Sequence, residues 1–256
     1  MIDLHSHLLH AVDDGAQTLA DAVAMARAAV DQGVTVMAAT PHGHSSVGAW
    51  AGYSPLKLQD RLEELRAAIA AAGLPLEVVP GTEILAEPGA LERLRARELL
   101  PYGSSRAVLI EFRLGIARAA AEQLVFAFQL AGHRVVLAHP ERYRFVQEDP
   151  NALIPLVERG ALMQLTGDAL LGNQGRALAH VAETLLAHGL VQVLATDAHG
   201  PHFRRMPNLG PARDRAAALV GAATADLITR QIPAAVLGDS PIAPPAPTRV
   251  RRWRGP

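Results

Sequence analysis

The sequence predicts an α/β protein built on a parallel sheet with helices packed outside it. Two observations carry this prediction. Short apolar runs alternate with longer helix-like segments from the first residue to about Gly238, and repeated βα units imply parallel pairing. Histidines and carboxylates recur at the C-terminal ends of those runs, where the functional groups of parallel barrels and sheets gather. The alternation alone leaves open the choice between a doubly wound sheet and a closed barrel.

The elements follow in order. Met1 to Ser6 is a short alternating strand. Thr18 caps a helix, with Asp21 three residues on as in a capping box, and Gly33 closes it. Val34 to Ala39 reads as a buried strand. Ser54-Pro55 gives a cap and first helical position for a helix ending near Gly73. Leu76 to Leu85 is extended, with a bend at Pro80-Gly81. Strands are then expected over Ala107–Phe112, Val135–Ala138, Ala161–Leu165 and Val191–Ala195. The intervening helices span Ala90–Leu99, Ile116–Leu130, Asn151–Arg159 and Arg176–His188, and further helices start near Pro211. This makes about seven strands. Residues 1–238 form the folded unit. Residues 239–256, with Pro241, Pro244, Pro245 and Pro247 and then Arg249, Arg251, Arg252, Trp253 and Arg254, are expected to be a disordered tail.

Composition excludes several chemistries. The chain has 256 residues, 50% of them hydrophobic, enough for a sizeable core. A net charge of −1 leaves no electrostatic footprint for nucleic acid. The absence of cysteine removes disulfides, thiolate zinc sites and cysteine nucleophiles. Lys57 is the only lysine. No run approaches the ~20 apolar residues of a membrane span, and Asp3, His5 and His7 occupy the place of a signal peptide's basic and apolar regions. A cytoplasmic protein without membrane insertion is expected.

The chemistry lies at the strand ends. His5 and His7 are two apart, so on a strand both imidazoles share a face while Ile2 and Leu4 point away. Asp13-Asp14-Gly15 follows the first strand and Thr40-Pro41-His42 the second. Glu83 ends the third, Glu111 sits inside the apolar run Leu109–Phe112, and His139 ends the fifth. Asp197 and His199 end the last strand. The sixth, ending at Leu165-Thr166, offers no comparable group. Each residue alone has an ordinary surface or ion-pair explanation, but their coincidence does not. Buried carboxylates need a partner or a metal. Nitrogen and oxygen donors without sulfur suit manganese, iron or zinc. His10 and His44, near the ligand loops, are candidate substrate contacts. His133, His180 and His188 read as surface residues, and His202 stays open.

The run Asp3-Leu4-His5-Ser6-His7, followed by Val12-Asp13-Asp14-Gly15, resembles the start of the PHP (polymerase and histidinol phosphatase) superfamily. More narrowly it is similar to the CpsB/YwqE-like bacterial manganese-dependent protein-tyrosine phosphatases of capsule and exopolysaccharide clusters. Thr40-Pro41-His42, Gly81-Thr82-Glu83-Ile84, Leu109-Ile110-Glu111-Phe112, Ala138-His139-Pro140-Glu141-Arg142-Tyr143 and Thr196-Asp197-Ala198-His199 continue the likeness in order.

The resemblance implies a distorted seven-stranded (β/α) TIM-like barrel, the PHP fold, holding three divalent metal ions, manganese first with iron or zinc as alternatives. It assigns His5, His7, Glu83 and Asp197 to one metal, Glu83, Glu111 and His139 to a second, and Asp14, His42 and His199 to the third. Two arginines would grip the substrate phosphate, Arg142 and, from the Arg-x-Pro-x-Leu context, Arg205, with Arg204 as the alternative. Three divalent cations would outweigh the four carboxylates, which suits a phosphomonoester dianion. The implied reaction is attack by a metal-activated water, with no protein nucleophile. The implied partner is the phosphotyrosine tail of a bacterial tyrosine autokinase.

Three other classes share parts of this pattern. Amidohydrolases also begin with His-x-His, but many bridge their metals with a modified lysine at a strand end, and Lys57 lies on a polar helix. A histidinol-phosphate-type phosphatase differs in pocket shape, which spacing does not encode. An idle metal-binding partner would not need the full ligand set.

Overall fold

The computed structural model describes residues 1–43, 54–202 and 205–256. His44 and Arg204 lie outside the described residues. The strands are β1 Ile2–Asp3, β2 Val36–Ala39, β3 Glu77–Pro80, β4 Glu83–Leu85, β5 Ala107–Glu111, β6 Arg134–Ala138, β7 Leu162–Thr166 and β8 Val193–Ala195. The helices are α1 Leu19–Asp31, α2 Pro55–Ala71, α3 Ala90–Arg95, α4 Arg118–Leu130, α5 Arg144–Glu148, α6 Ile154–Glu158, α7 Gly167–Leu170, α8 Arg176–Ala187, α9 Leu209–Val220, α10 Ala222–Asp226 and α11 Ile232–Leu237. Thr18 does cap α1 through a reciprocal capping box with Asp21, and Ser54 accepts the Lys57 N–H at the start of α2.

Every strand pair is parallel, as βα alternation requires. The strand count differs from the expected seven in one sheet. Among the described residues, eight strands lie in two sheets, ordered β1-β2-β3 and β4-β5-β6-β7-β8. The cause is the bend at Pro80-Gly81. It cuts the expected third strand, so β3 pairs with β2 and β4 pairs with β5 on the other side. Single bridges tie the sheets where they meet, Ser6 to Ala198 and His42 to Glu83. Both bridges are made by, or lie next to, candidate site residues.

The strands alternate between two apolar clusters. Val108, Ile110, Val135, Leu137, Met163 and Leu165 face the larger one, which the helices cover. Ala107, Leu109, Val136, Ala138, Leu162, Val193 and Ala195 face the smaller one, together with Ile232 and Val236 of α11. By the period of two, Glu111, Gln164 and Asp197 continue the smaller cluster's rows at their C-terminal ends. The polar site is thus stacked on one end of an apolar column.

Residues 239–256 contain no helix or strand, but they do not lie free as expected. Val250 and Trp253 pack against the larger cluster. The Trp253 indole N–H donates to Gln147 O at 2.7 Å, and its ring stacks on His180 at 5.0 Å. The Val250 N–H donates to Asn151 Oδ1, and the Thr248 N–H to His188 O. Two apolar anchors among prolines and arginines suffice to seat a segment whose average composition reads as disordered.

Gly15 is fixed by close packing. A Cβ there would lie 2.1 Å from His7 O and 2.4 Å from the His7 Cβ. Gly15→Ala is therefore expected to lower stability by about 1–3 kcal/mol through overpacking, read as a lower urea midpoint at unchanged slope. A wild-type midpoint would show that this turn yields easily.

Candidate metal centre

The strand ends bring all nine candidate ligands and both described arginines into one cluster. Glu83, at the start of β4, is its hub. Its Oε1 lies 2.7 Å from His139 Nε2. Its Oε2 lies 3.3 Å from His5 Nε2, 3.3 Å from His7 Nε2 and 3.1 Å from His42 Nδ1. Asp197, just past β8, is the second hub, with Oδ1 3.3 Å from His5 Nε2 and 3.4 Å from His7 Nε2. Asp14 Oδ1 lies 3.3 Å from His199 Nε2 and 3.6 Å from His42 Nε2. Glu111 Oε1 stands 3.4 Å from His42 Nδ1, and its Oε2 3.8 Å from His139 Nε2. Potential ligand atoms gather within 4.8 Å in three overlapping groups: His7, Asp14, His42 and His199; His5, His7 and Glu83; His42, Glu83 and Glu111.

Backbone geometry aims these groups. His139 follows Ala138 and so falls off the alternation that points Ala138 into the smaller cluster. Its φ of +36° takes the chain out of the strand at that point. Asp197 and Arg205 have φ of +54° each. Left-handed backbone at non-glycine residues is strained, and such strain gathers at functional positions.

A supporting layer orients the imidazoles. His5 Nδ1 pairs with Gln164 Oε1 at 2.8 Å, His7 Nδ1 with Asp13 Oδ2 at 2.6 Å, and His199 Nδ1 with Asp197 O at 2.9 Å. A hydrogen bond at Nδ1 leaves Nε2 free to ligate. Beneath His5, buried Asp3 accepts from the Thr196 N–H and hydroxyl at 3.1 and 2.5 Å. Tyr143 ties two ligand strands together: its OH donates to Ala138 O at 2.9 Å and accepts from the Phe112 N–H at 3.1 Å.

Electrostatics follow from burial and proximity. Burial raises Asp3 to about 6 despite its Thr196 bonds. Burial also opposes charge on Glu83 and Asp197, but both are held well below the carboxylate range, Glu83 by His5 and His42, Asp197 by His5, Arg142 and Arg205. Burial would depress His42, yet Glu83 and Glu111 hold it up at about 10. His199 is pushed down to about 4 by burial and by the charge on His7.

The residues fit divalent cations. Among the described residues, His139 Nδ1 is buried with no hydrogen-bond partner, and His42 Nδ1, His199 Nε2 and Glu111 Oε1 are buried with contacts of 3.1 to 3.4 Å that are too poorly aimed for hydrogen bonds. Buried polar atoms are otherwise satisfied, and imidazole with carboxylate suits manganese, iron or zinc.

Over the cluster stand two guanidiniums. Arg142, on a 3₁₀ turn spanning Pro140–Arg142, places Nη2 2.7 Å from Asp197 Oδ2. Arg205 places Nη2 2.8 Å from Asp197 Oδ1. Its Nε is buried without a partner. His10, a candidate substrate contact, is instead engaged by Glu64 and Arg61 of α2. His180 and His188 hold the tail. Sequence reasoning missed Asp3, Asp13, Gln164 and Asp168 as working parts. Asp3 shares the parity of His5 and His7, which was the available signal. Gln164 and Asp168 carried none, because the site residues they hold, His5 and Arg205, lie more than thirty residues away.

Fold and cluster together define an α/β protein with a histidine-carboxylate cluster fit for metal at the strand ends, crowned by arginines. The chain belongs to the capsular polysaccharide synthesis CpsB/CapC family, whose family model matches residues 1–238. It is 39% identical to the tyrosine-protein phosphatase YwqE of Bacillus subtilis over 204 residues, covering 80% of this chain and 79% of YwqE. It is 30% identical to the putative tyrosine-protein phosphatase CapC of Staphylococcus aureus over 199 residues, 78% of this chain and 77% of that protein. A crystal structure from work on B. subtilis YwqE and Streptococcus pneumoniae CpsB, described as metal-dependent tyrosine phosphatases, superposes with a TM-score of 0.90. It is 34% identical and covers 98% of this chain and 100% of that one. A Mycobacterium tuberculosis phosphotriesterase, 13% identical with a TM-score of 0.53 over 86% of this chain and 84% of its own, shares the fold alone.

If Glu83 is the hub of a metal cluster, Glu83→Gln should bind fewer divalent ions per chain than the wild type, as measured by elemental mass spectrometry after metal loading. Unchanged stoichiometry would remove Glu83 from the centre.

Proposed function

We propose that this chain is a metal-dependent protein-tyrosine phosphatase that dephosphorylates the tyrosine-rich tail of a bacterial autokinase in capsule or exopolysaccharide synthesis. The cytoplasm, where ATP-dependent kinases act, is its proposed place. The observation that carries the reading is the convergence of Arg142 and Arg205 on Asp197, within the nitrogen and oxygen donor cluster. Two guanidiniums above a cation-binding cup recognise a phosphomonoester dianion. The named tyrosine phosphatases of the family support the choice of ester.

Three divalent ions, manganese by preference, would be held by His5, His7, Glu83 and Asp197, by Glu83, Glu111 and His139, and by Asp14, His42 and His199. Such ions lower the pKa of a coordinated water and neutralise charge on the phosphoryl oxygens. The chain's own part is positional. Arg142 and Arg205 clamp and orient the phosphoryl group and stabilise charge on its equatorial oxygens. Gln164 and Asp13 keep His5 and His7 in the ligating tautomer. No covalent phosphocysteine forms, because the chain contains no cysteine. A phenolate leaving group, pKa about 10, needs less protonation on departure than an alkoxide would. Residues 1–238 are proposed as the catalytic unit, its two bridged sheets acting as one distorted seven-stranded barrel.

The test is a substrate panel with manganese-loaded protein: phosphotyrosine peptide, phosphoserine peptide, histidinol phosphate and a dihydroorotate-type cyclic amide. Phosphotyrosine peptide should give the highest kcat/KM, and chelator should abolish turnover until manganese is restored. Faster turnover of histidinol phosphate would overturn the substrate, and turnover of the amide alone would overturn the reaction class. Arg142→Ala should lower kcat/KM by about 10²-fold or more, with ion content unchanged.

A further inference from the structure

Asp168 lies two residues beyond β7, a strand that supplies none of the nine candidate ligands. Its side chain is buried, with 4% exposure. One carboxylate oxygen, Oδ2, accepts the backbone N–H of Arg205 at 3.1 Å. The other accepts from Asn173 Nδ2 at 2.8 Å and Asn208 Nδ2 at 2.5 Å. The Arg205 carbonyl in turn accepts the His199 N–H at 2.7 Å. Both backbone polar groups of Arg205 are therefore tied down, one to the arm that carries His199 and one to α7. This matters because Arg205 sits at a φ of +54°, a conformation a non-glycine residue keeps only where its surroundings enforce it. Released from that φ, the side chain would leave the chain in another direction, and the guanidinium would lose its place beside Asp197.

The brace is built to close tolerance. Gly167 lies against Asn208, and a Cβ at Gly167 would stand 2.5 Å from Asn208 Oδ1. A side chain there would push Asn208 off the Asp168 carboxylate. Arg205, once held, keeps its buried Nε unpaired, a donor suited to one more acceptor, such as a phosphate oxygen.

We propose that Asp168 is a positioning residue that locks the Arg205 backbone so that its guanidinium is preset for the substrate phosphoryl group. The proposal rests on the phosphatase reading above, but its effect is also visible in phosphate binding alone. The Asp168→Asn variant keeps the shape and exchanges one acceptor for a donor. In the manganese-loaded protein it should raise KM for phosphotyrosine peptide by about tenfold, the loss of one charge-assisted hydrogen bond, and reduce kcat less. Calorimetry should show the affinity for inorganic phosphate falling by a similar factor, with ion content unchanged. In an Arg205→Ala background the same substitution should add little, since the two act as one unit. Gly167→Ala reaches the brace from its other side and should weaken phosphate in the same direction, so a poorly folding Asp168→Asn leaves a second route to the answer. Wild-type phosphate affinity in both variants, or an Asp168→Asn loss that persists at full size without Arg205, would overturn the proposal. If the wild type failed to cleave phosphotyrosine yet bound phosphate in an Asp168-dependent way, the substrate reading would fall and the positioning role would stand.

Discussion

Glu83 and Asp197 are each about 1% exposed, and an ionised carboxylate taken that far from water is strongly unfavourable unless its charge is answered on the spot. The rest of the site follows from that requirement. Four imidazoles surround Glu83, and three imidazoles with two guanidiniums face Asp197. These groups come from β-strand ends and loops spread over two hundred residues. Both carboxylates stay ionised because of the groups around them, so the cluster is a single electrostatic unit. Divalent cations would answer the same carboxylates in place of imidazole protons, and would satisfy buried oxygens and nitrogens that protein donors leave unpaired.

The parallel sheets make such a unit affordable in space. An apolar column, from Leu109, Val136, Leu162 and Val193 with α11 beneath, fills one end of the interior. The polar cup occupies the other. Strand alternation alone would carry Glu111 and Asp197 onto the cup, but not His139, which directly follows an inward-facing alanine. The left-handed turn at His139 resolves that conflict, and the Tyr143 hydroxyl pins the two strand ends on either side of it. Local strain is tolerated here because backbone hydrogen bonds and packing enclose it.

Much of this was legible in the sequence because it rests on short-range rules. His5 and His7 share a strand face, Asp14 sits in an Asp-Asp-Gly turn, and Glu111 stands out inside an apolar run. The helix caps at Thr18 and Ser54 are local chemistry and were read correctly. The break between β3 and β4 was visible as a bend at Pro80-Gly81, but not its consequence, because which neighbour each half chooses is a long-range pairing decision. The tail failed for a related reason. Its average composition hid Val250 and Trp253, whose partners Asn151, Gln147 and His180 lie on helices far along the chain. Glu64's grip on His10 was likewise beyond reach, since it depends on where α2 packs.

The least legible element is β7, and it is where bracing concentrates. From its interior face Gln164 orients His5. At its end the Thr166 N–H donates to Glu141 at 3.3 Å, holding the turn that presents Arg142. Two residues later Asp168 holds the loop that presents Arg205. A strand that read as chemically silent thus anchors one imidazole and both guanidiniums. A side chain that ligates must be of a recognisable type, whereas one that braces needs only an acceptor or donor at the right point. The ligand set can therefore be read from residue identity, while the bracing set emerges once distant segments meet in the fold.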